Sequence, residues 1–230
     1  MKISILTLFP EMFVGPFDHS IIKHAQQKNL VEITYVNIRD YGLGKHKVVD
    51  DKPYGGGVGM LLKVDVLDQA IEAVKDKTLQ PEEQKVILLS AGGKTFNQQK
   101  AQEFSKIKHI IFVCGHYEGF DERIKSFIDE EISIGDFITT GGEIPTMLIT
   151  DAIVRLIPGV LKNEATSHES FSLKDAESTL LEFPQYTTPA EYKNMKVPEV
   201  LTSGNHKAIE TWRKEQAKTI TKKHRPDLLK

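Results

Sequence analysis

Two hydrophobic periods alternate along the first two thirds of this chain. The apolar positions of Lys2–Leu8 predict a strand, and Phe17–Lys28 carries helical spacing through Ile21, Ile22 and Ala25. Val31–Ile38 alternates and is rich in β-branched residues, which predicts a second strand. Asp65–Val74 predicts a helix with Asp65 at its N-cap. Lys85–Ser90 predicts a third strand, ending at Ala91-Gly92-Gly93, and Asn97–Phe104 a helix capped by Asn97. His109–Cys114 is an apolar run of buried-strand type. After it the pattern gives a helix over Asp121–Ile128, a short strand over Glu131–Ile134 and an apolar helix over Pro145–Leu156 with proline in its first turn. Between these elements, Arg39–Leu62 is polar and glycine-rich without clear periodicity, and a loop of that length in a compact domain is functional or mobile.

Strand and helix alternation predicts an α/β layer with a largely parallel sheet over residues 1–160. The character then changes. Residues 161–179 are polar and aperiodic, as expected of a flexible linker, and residues 180–230 predict a small, mainly helical C-terminal domain. Its last helix runs from His206 to about Ile220, with Asn205 as N-cap. Residues 206–230 hold Lys207, Arg213, Lys214, Lys218, Lys222, Lys223, Arg225 and Lys230 against only Glu210, Glu215 and Asp227. This basic excess is a solvated helix face or a nucleic-acid footprint.

Ligands of parallel α/β sheets bind beyond the carboxyl ends of the strands. Three glycine turns follow strand ends here: Ser90–Gly93, Gly115–Gly119 and Gly135–Gly142. Glycine turns expose backbone N–H and C=O groups and let a ligand approach them closely. None of them, nor Tyr54-Gly-Gly-Gly-Val-Gly-Met60, carries the Gly-Lys-Ser/Thr ending of a phosphate-binding loop or the dinucleotide spacing. A ligand of modest charge, such as an adenosine group, suits them better than a polyphosphate.

Composition narrows the picture further. The formal net charge of −2 over 230 residues announces no nucleic-acid binder and excludes none, because patches matter more than sums. The single cysteine, Cys114, lies in a strand pattern and is expected as a buried thiol, and no cysteine or histidine spacing suggests a metal site. The apolar start, Met1–Pro10, is too short and lacks a cleavage site for a signal peptide, and no run approaches the ~20 residues of a membrane span. A cytoplasmic soluble protein is expected.

Several blocks, in order, resemble the bacterial tRNA (guanine-37, N1)-methyltransferases of the knotted SPOUT class. They are Thr7-Leu-Phe-Pro-Glu-Met-Phe13, Asp50–Met60, Cys114-Gly-His-Tyr-Glu-Gly-Phe-Asp-Glu-Arg123, Glu131–Pro145, Asp151–Arg155, Leu181–Thr187 and Val197–His206. The resemblance implies a deep trefoil knot, S-adenosyl-L-methionine as methyl donor, and a homodimer with active sites at the subunit interface. It makes 1–160 the knotted catalytic domain and 180–230 the part that binds the tRNA anticodon stem-loop. By position it places the donor among Leu88, Leu89, Ser90, Gly115, Tyr117, Gly119, Ile134, Gly135, Phe137, Thr139, Gly141, Gly142 and Pro145. A SPOUT methyltransferase acting on another RNA position would share these cofactor turns but not the Asp50–Met60 loop or Leu181–Thr187.

The resemblance also distributes catalytic roles. Arg155 matches an arginine suited to the charge that develops on guanine O6, and Glu118 a glutamate that orients the guanine edge. Relatives carry an aspartate base just before Ser-Phe, whereas this chain has Ser167-His-Glu-Ser-Phe171, so Glu169 takes that place with one more methylene. Asp175, within the unusual Leu173–Thr179 insertion, and His168 are the other candidates for the base. Milder departures are Ser90-Ala-Gly-Gly93 in place of Ser/Cys-Pro-Gln-Gly, Thr139 in place of leucine, and Thr188-Pro189 in place of Arg-Pro.

Overall fold

The computed structural model describes residues 1–162 and 165–229. Residues 163 and 164, within the expected linker, and Lys230, among the basic residues counted above, lie outside the described residues. The chain divides into two compact units, Met1–Leu161 and Lys162–Lys230.

The first unit contains β1 (Lys2–Thr7), α1 (Ser20–Gln27), β2 (Glu32–Asn37), β3 (Asp50–Asp51), β4 (Leu61–Leu62), α2 (Val64–Val74), β5 (Gln84–Thr95), α3 (Gln98–Phe104), β6 (His109–Val113), β7 (Glu130–Ser133) and α4 (Glu143–Val154). Five strands form one sheet in the order β2-β1-β6-β5-β7, with every neighbouring pair parallel. The period-2 pattern of the strands sorts their side chains to two faces. Ile3, Ile5, Ile87, Leu89, Ile110 and Phe112 join a core with Ile22 and Ala25 of α1, Phe104 of α3 and Ile149 and Ile153 of α4. Leu6, Val86, Leu88, Ile111 and Val113 join the opposite core, with Val66, Leu67, Ala70 and Ile71 of α2. A sheet covered on both faces needs apolar residues at both parities, which is why β6 is buried along its whole length.

Several boundaries differ from the sequence expectation for local reasons. The helix expected to start at Asp65 starts at Val64 after Lys63, which caps with no side chain; Asp65 lies in the first turn, where a carboxylate complements the helix dipole. β5 does not stop at Ser90. It leaves its partner after Leu89, makes an excursion through Ser90–Gly93, and pairs again with β7 at Lys94 and Thr95. The helix expected over Asp121–Ile128 shortens to a 3-10 turn over Glu122–Ser126, with the Asp121 carboxylate accepting from Arg123 N. So short a segment holds little helix of its own without an extended packed face. α4 begins two residues before Pro145, on Glu143. The Arg39–Leu62 loop contains a 3-10 turn over Ile38–Tyr41 at its start and a two-residue ladder of β3 with β4 near its end.

The second unit contains β8 (Leu173–Asp175), β9 (Ser178–Leu180), β10 (Glu191–Tyr192), β11 (Met195–Lys196), α5 (Glu199–Thr202) and α6 (His206–His224). β8 and β9 pair antiparallel, so the segment expected as linker carries a hairpin at its end. The hairpin is fastened to α6, where Leu181 N donates to Thr221 Oγ1 at 2.8 Å and Thr221 Oγ1 donates to Ala217 O at 2.7 Å. Asn205 caps α6 by accepting from Ala208 N, as its position predicts, and the helix runs four residues past Ile220.

At the amino end of the sheet, His109 is buried, with Ser4 Oγ 2.9 Å from Nε2 and Gln84 Oε1 2.8 Å from Nδ1. Burial first, and then the charge of Lys2, lower its pKa from 6.5 to about 4. Below pH 6.5 the unfolded chain takes up a proton that the folded chain refuses, so this residue's contribution is intact above pH 6.5 and is lost as pH falls toward 4. The expected loss across that window is at most about 3 kcal/mol. Urea unfolding of wild type and His109→Gln at a series of pH values checks this, and the variant should show the shallower decline.

Candidate methyl-donor site

Because β6, β5 and β7 are neighbours, the turns that follow β6 and β7 and the excursion within β5 are neighbours too. Together they wall a cavity of about 360 Å³. All thirteen residues expected around the donor line it: Leu88, Leu89 and Ser90 from β5; Gly115, Tyr117 and Gly119 after β6; Ile134, Gly135, Phe137, Thr139, Gly141, Gly142 and Pro145 after β7. The turns are joined directly. Gly142 N donates to Gly115 O at 2.8 Å, and a Cβ at Gly142 would stand 2.7 Å from both Cys114 Cα and Gly115 N. Only a residue without a side chain permits that approach. Tyr117, between two glycines, holds a left-handed φ of 57°, a costly conformation for an aromatic residue and one that recurs at functional turns.

Glu118, expected at the site, lines the cavity, and sequence reasoning missed the rest of a charged rim: Asp121, Glu122 and Glu131 also line it, against Lys125 as its lining lysine among the described residues. Lys125 Nζ is 2.9 Å from Glu122 and 3.5 Å from Glu131. Asp121 is held at a pKa of about 2, chiefly by the side-chain hydrogen bond from Arg123, so it stays ionised at neutral pH. An excess of carboxylates disfavours phosphate and favours a cation. With backbone groups exposed on three turns and the apolar Leu88, Leu89, Phe137 and Pro145 between them, the residues fit an adenosyl sulfonium. No group of three or more His, Cys, Asp or Glu side chains among the described residues is placed to hold a metal ion.

Glu118 is exposed, and its backbone ties two motifs together. Glu118 N donates to Met60 O at 3.1 Å, and Leu62 N donates to Gly119 O at 2.9 Å. The glycine-rich loop Tyr54–Met60 therefore docks on the Gly115–Gly119 turn. A Cβ at Gly59 would lie 2.3 Å from Glu118 Cγ and 2.5 Å from its Oε1, and Gly59 has a φ of +88°. On the roles that the resemblance implies, Gly59→Ala should displace the Glu118 carboxylate, lowering methyl transfer about tenfold while donor affinity stays within about twofold. Steady-state kinetics with separate donor titration checks that split.

Arg155, in the same unit, is not gathered at this cavity. Arg155 is half-buried and closes the carboxyl end of α4, whose amino end carries Glu143 and Pro145. At 1.5 Å per residue the two ends are roughly 18 Å apart along the axis. Glu169 lies in the second unit, half-buried, its carbonyl accepting from Ser172 N and Leu173 N. Asp175 is bound by Lys218 at 2.7 Å and Lys214 at 3.3 Å, and these hydrogen bonds hold its carboxyl below the usual range. A carboxylate stabilised in that way is a poor proton acceptor, which disfavours Asp175 as the base. His168 is exposed. Cys114 is buried against Thr146 Oγ1 at 3.2 Å, and burial followed by the charge of Glu143 raises its pKa far above the ordinary thiol range. It is a core thiol, not a nucleophile.

A family model described as tRNA (Guanine-1)-methyltransferase TrmD matches residues 1–230. The chain is 55% identical over 230 residues to the tRNA (guanine-N(1)-)-methyltransferase of Staphylococcus epidermidis strain ATCC 12228, covering 100% of this chain and 91% of the relative. It is equally 55% identical, with the same coverage, to the protein of that description from Staphylococcus aureus strain N315. The likeness runs through both units, including the turns that build the cavity, and the chain belongs to the tRNA (guanine-N1)-methyltransferase family TrmD, of the SPOUT class.

Proposed function

We propose that the protein methylates N1 of guanosine 37, the nucleotide 3′ to the anticodon, in certain tRNAs, using S-adenosyl-L-methionine. The observation that carries this reading is the convergence of three strand-end turns on one carboxylate-rimmed cavity. When bound, the sulfonium supplies an already activated methyl group, so the protein's work is orientation and proton transfer. Guanine N1 carries a proton at neutral pH and attacks only as that proton leaves. Glu169 takes the N1 proton, the Arg155 guanidinium stabilises the charge that grows on O6, and Glu118 orients the guanine edge. The methylated base leaves neutral, with the proton on Glu169.

The distance between Arg155 and its own cavity supports a homodimer in which facing protomers complete each site. α4 carries the surface for it: Ile144 and Leu148, four residues apart on one face, are 53% and 51% exposed. A second copy of the chain covers that face, and the chain threads the deep trefoil knot that its SPOUT membership implies. The C-terminal unit supplies the RNA contacts. Along α6, Arg213 stacks on Phe183 at 4.8 Å and Trp212 faces Tyr186 at 6.4 Å, a surface that combines cations with aromatic planes. Such surfaces hold phosphates and splayed bases of a single-stranded loop, and a base modified at its edge leaves the stack.

No helix among the described residues is long and apolar enough to cross a membrane, and a tRNA substrate fits a cytoplasmic protein. The reading is tested by offering labelled donor to a tRNA transcript carrying G37 and to its G37→A counterpart. Label should enter the first only; equal labelling of both overturns it.

A further inference from the structure

The N-terminal motif Thr7-Leu-Phe-Pro-Glu-Met-Phe13 has no part in the mechanism above, yet it reaches the cavity turns. Thr7, the last residue of β1, donates from Oγ1 to Glu143 Oε1 at 2.7 Å, and its Oγ1 accepts from Phe9 N at 2.9 Å. The Phe9 ring lies 4.8 Å from the His116 imidazole, and His116 lies 4.8 Å from the Tyr117 ring, edge-on. Glu143 is 1% exposed, an unusual position for a carboxylate. At the first position of α4 it is favoured by the helix dipole, but Thr7 occupies only one of its oxygens.

The other oxygen faces the same space as His116. A Cβ on Gly141 would stand 2.4 Å from Glu143 Oε2 and 2.9 Å from His116 Nδ1. Gly141 does not have a positive φ, so glycine is needed there for room and not for backbone conformation. His116 Nδ1 is buried and has no hydrogen-bond partner among the described residues. A buried ring nitrogen without a partner is costly, and the Glu143 carboxylate stands across Gly141 from it.

We propose that His116 and Glu143 act as one positioning pair that closes when guanine enters, His116 Nδ1–H then donating to Glu143 and holding the Tyr117–Glu118 turn in its strained form. Thr7 locks the carboxylate, Phe9 braces the imidazole, and Gly141 keeps the gap clear. This rests on the methyl-transfer reading above, since the turn being held is the one that carries Glu118.

The test is single-turnover methyl transfer by full-length dimer carrying His116→Phe, His116→Asn, Glu143→Gln, or the pair His116→Phe with Glu143→Gln. Phenylalanine keeps the ring contact with Phe9 and removes the donor; asparagine keeps a donor near the Nδ1 position. His116→Phe and Glu143→Gln should each slow transfer about thirtyfold with tRNA affinity within about twofold, and the double variant should be no slower than the slower single. His116→Asn should recover to within about threefold of wild type. Losses that multiply in the double variant, or His116→Asn as slow as His116→Phe, would overturn the pair. The phenylalanine and asparagine comparison stands even if Glu143→Gln fails to fold. A wild-type protein that transfers no methyl group to tRNA would instead count against the functional reading itself.

Discussion

Glu169→Gln should lower methyl transfer at least about a hundredfold, because it removes the proposed general base while keeping the side chain's length and shape. Donor affinity should be unchanged, since the role proposed for Glu169 is toward guanine N1 and not toward the donor. The effect should appear in the rate of single-turnover transfer and not in tRNA affinity, as befits a group that acts on a proton in the transition state. Near-wild-type turnover in this variant would remove Glu169 from the mechanism. The variant also tests the dimer. Mixed with an inactive Arg155→Ala variant under conditions of subunit exchange, it should recover roughly a quarter of wild-type activity, because half the dimers are mixed and each has one site with both groups intact. If both groups came from one protomer, mixing would recover nothing.

The second large effect is expected at Gly142. Its missing side chain allows α4's start to lie directly on the backbone of Cys114 and Gly115. An added methyl group meets main-chain atoms that no rotamer change can move aside, so Gly142→Ala must push two cavity turns apart and stretch the hydrogen bond between Gly142 N and Gly115 O. Overpacking of this kind costs about 1–3 kcal/mol of stability. Since both turns belong to the cavity wall, donor affinity should fall at least about a hundredfold, measured by calorimetric titration. An alanine variant that binds donor like wild type would show that the turns can separate without consequence.

The sheet of the first unit was legible because its central strands, buried on both faces, read as short continuous apolar runs, whereas its helices, buried on one, carry helical spacing. The donor cavity was partly legible: glycine turns at three strand ends announce exposed backbone, although only the strand order β6-β5-β7 makes them neighbours. What escaped did so for physical reasons. β5 re-forms beyond Gly93 because the missing side chain there lets the strand return onto the backbone of Glu131 and Ile132 in β7, and a pattern reader sees only the interruption. The ladders of β3 with β4 and β10 with β11 are two residues long, below any detectable period. Glu143 precedes the helix expected from Pro145, and only the fold brings Thr7 from 136 positions away to meet it. Arg155 and Glu169 could be assigned roles only through family resemblance, since one stands at the far end of a helix from the cavity and the other in a separate unit.

The central claim is that this cavity delivers a methyl group to one nitrogen of one guanine. It is tested most directly by incubating the protein with tRNA and S-adenosyl-L-methionine, digesting the RNA and mapping the product by mass spectrometry. The account predicts a single added methyl group, on N1 of the guanine 3′ to the anticodon. A methyl group on a ribose, on another ring atom or at another position in the tRNA would contradict it.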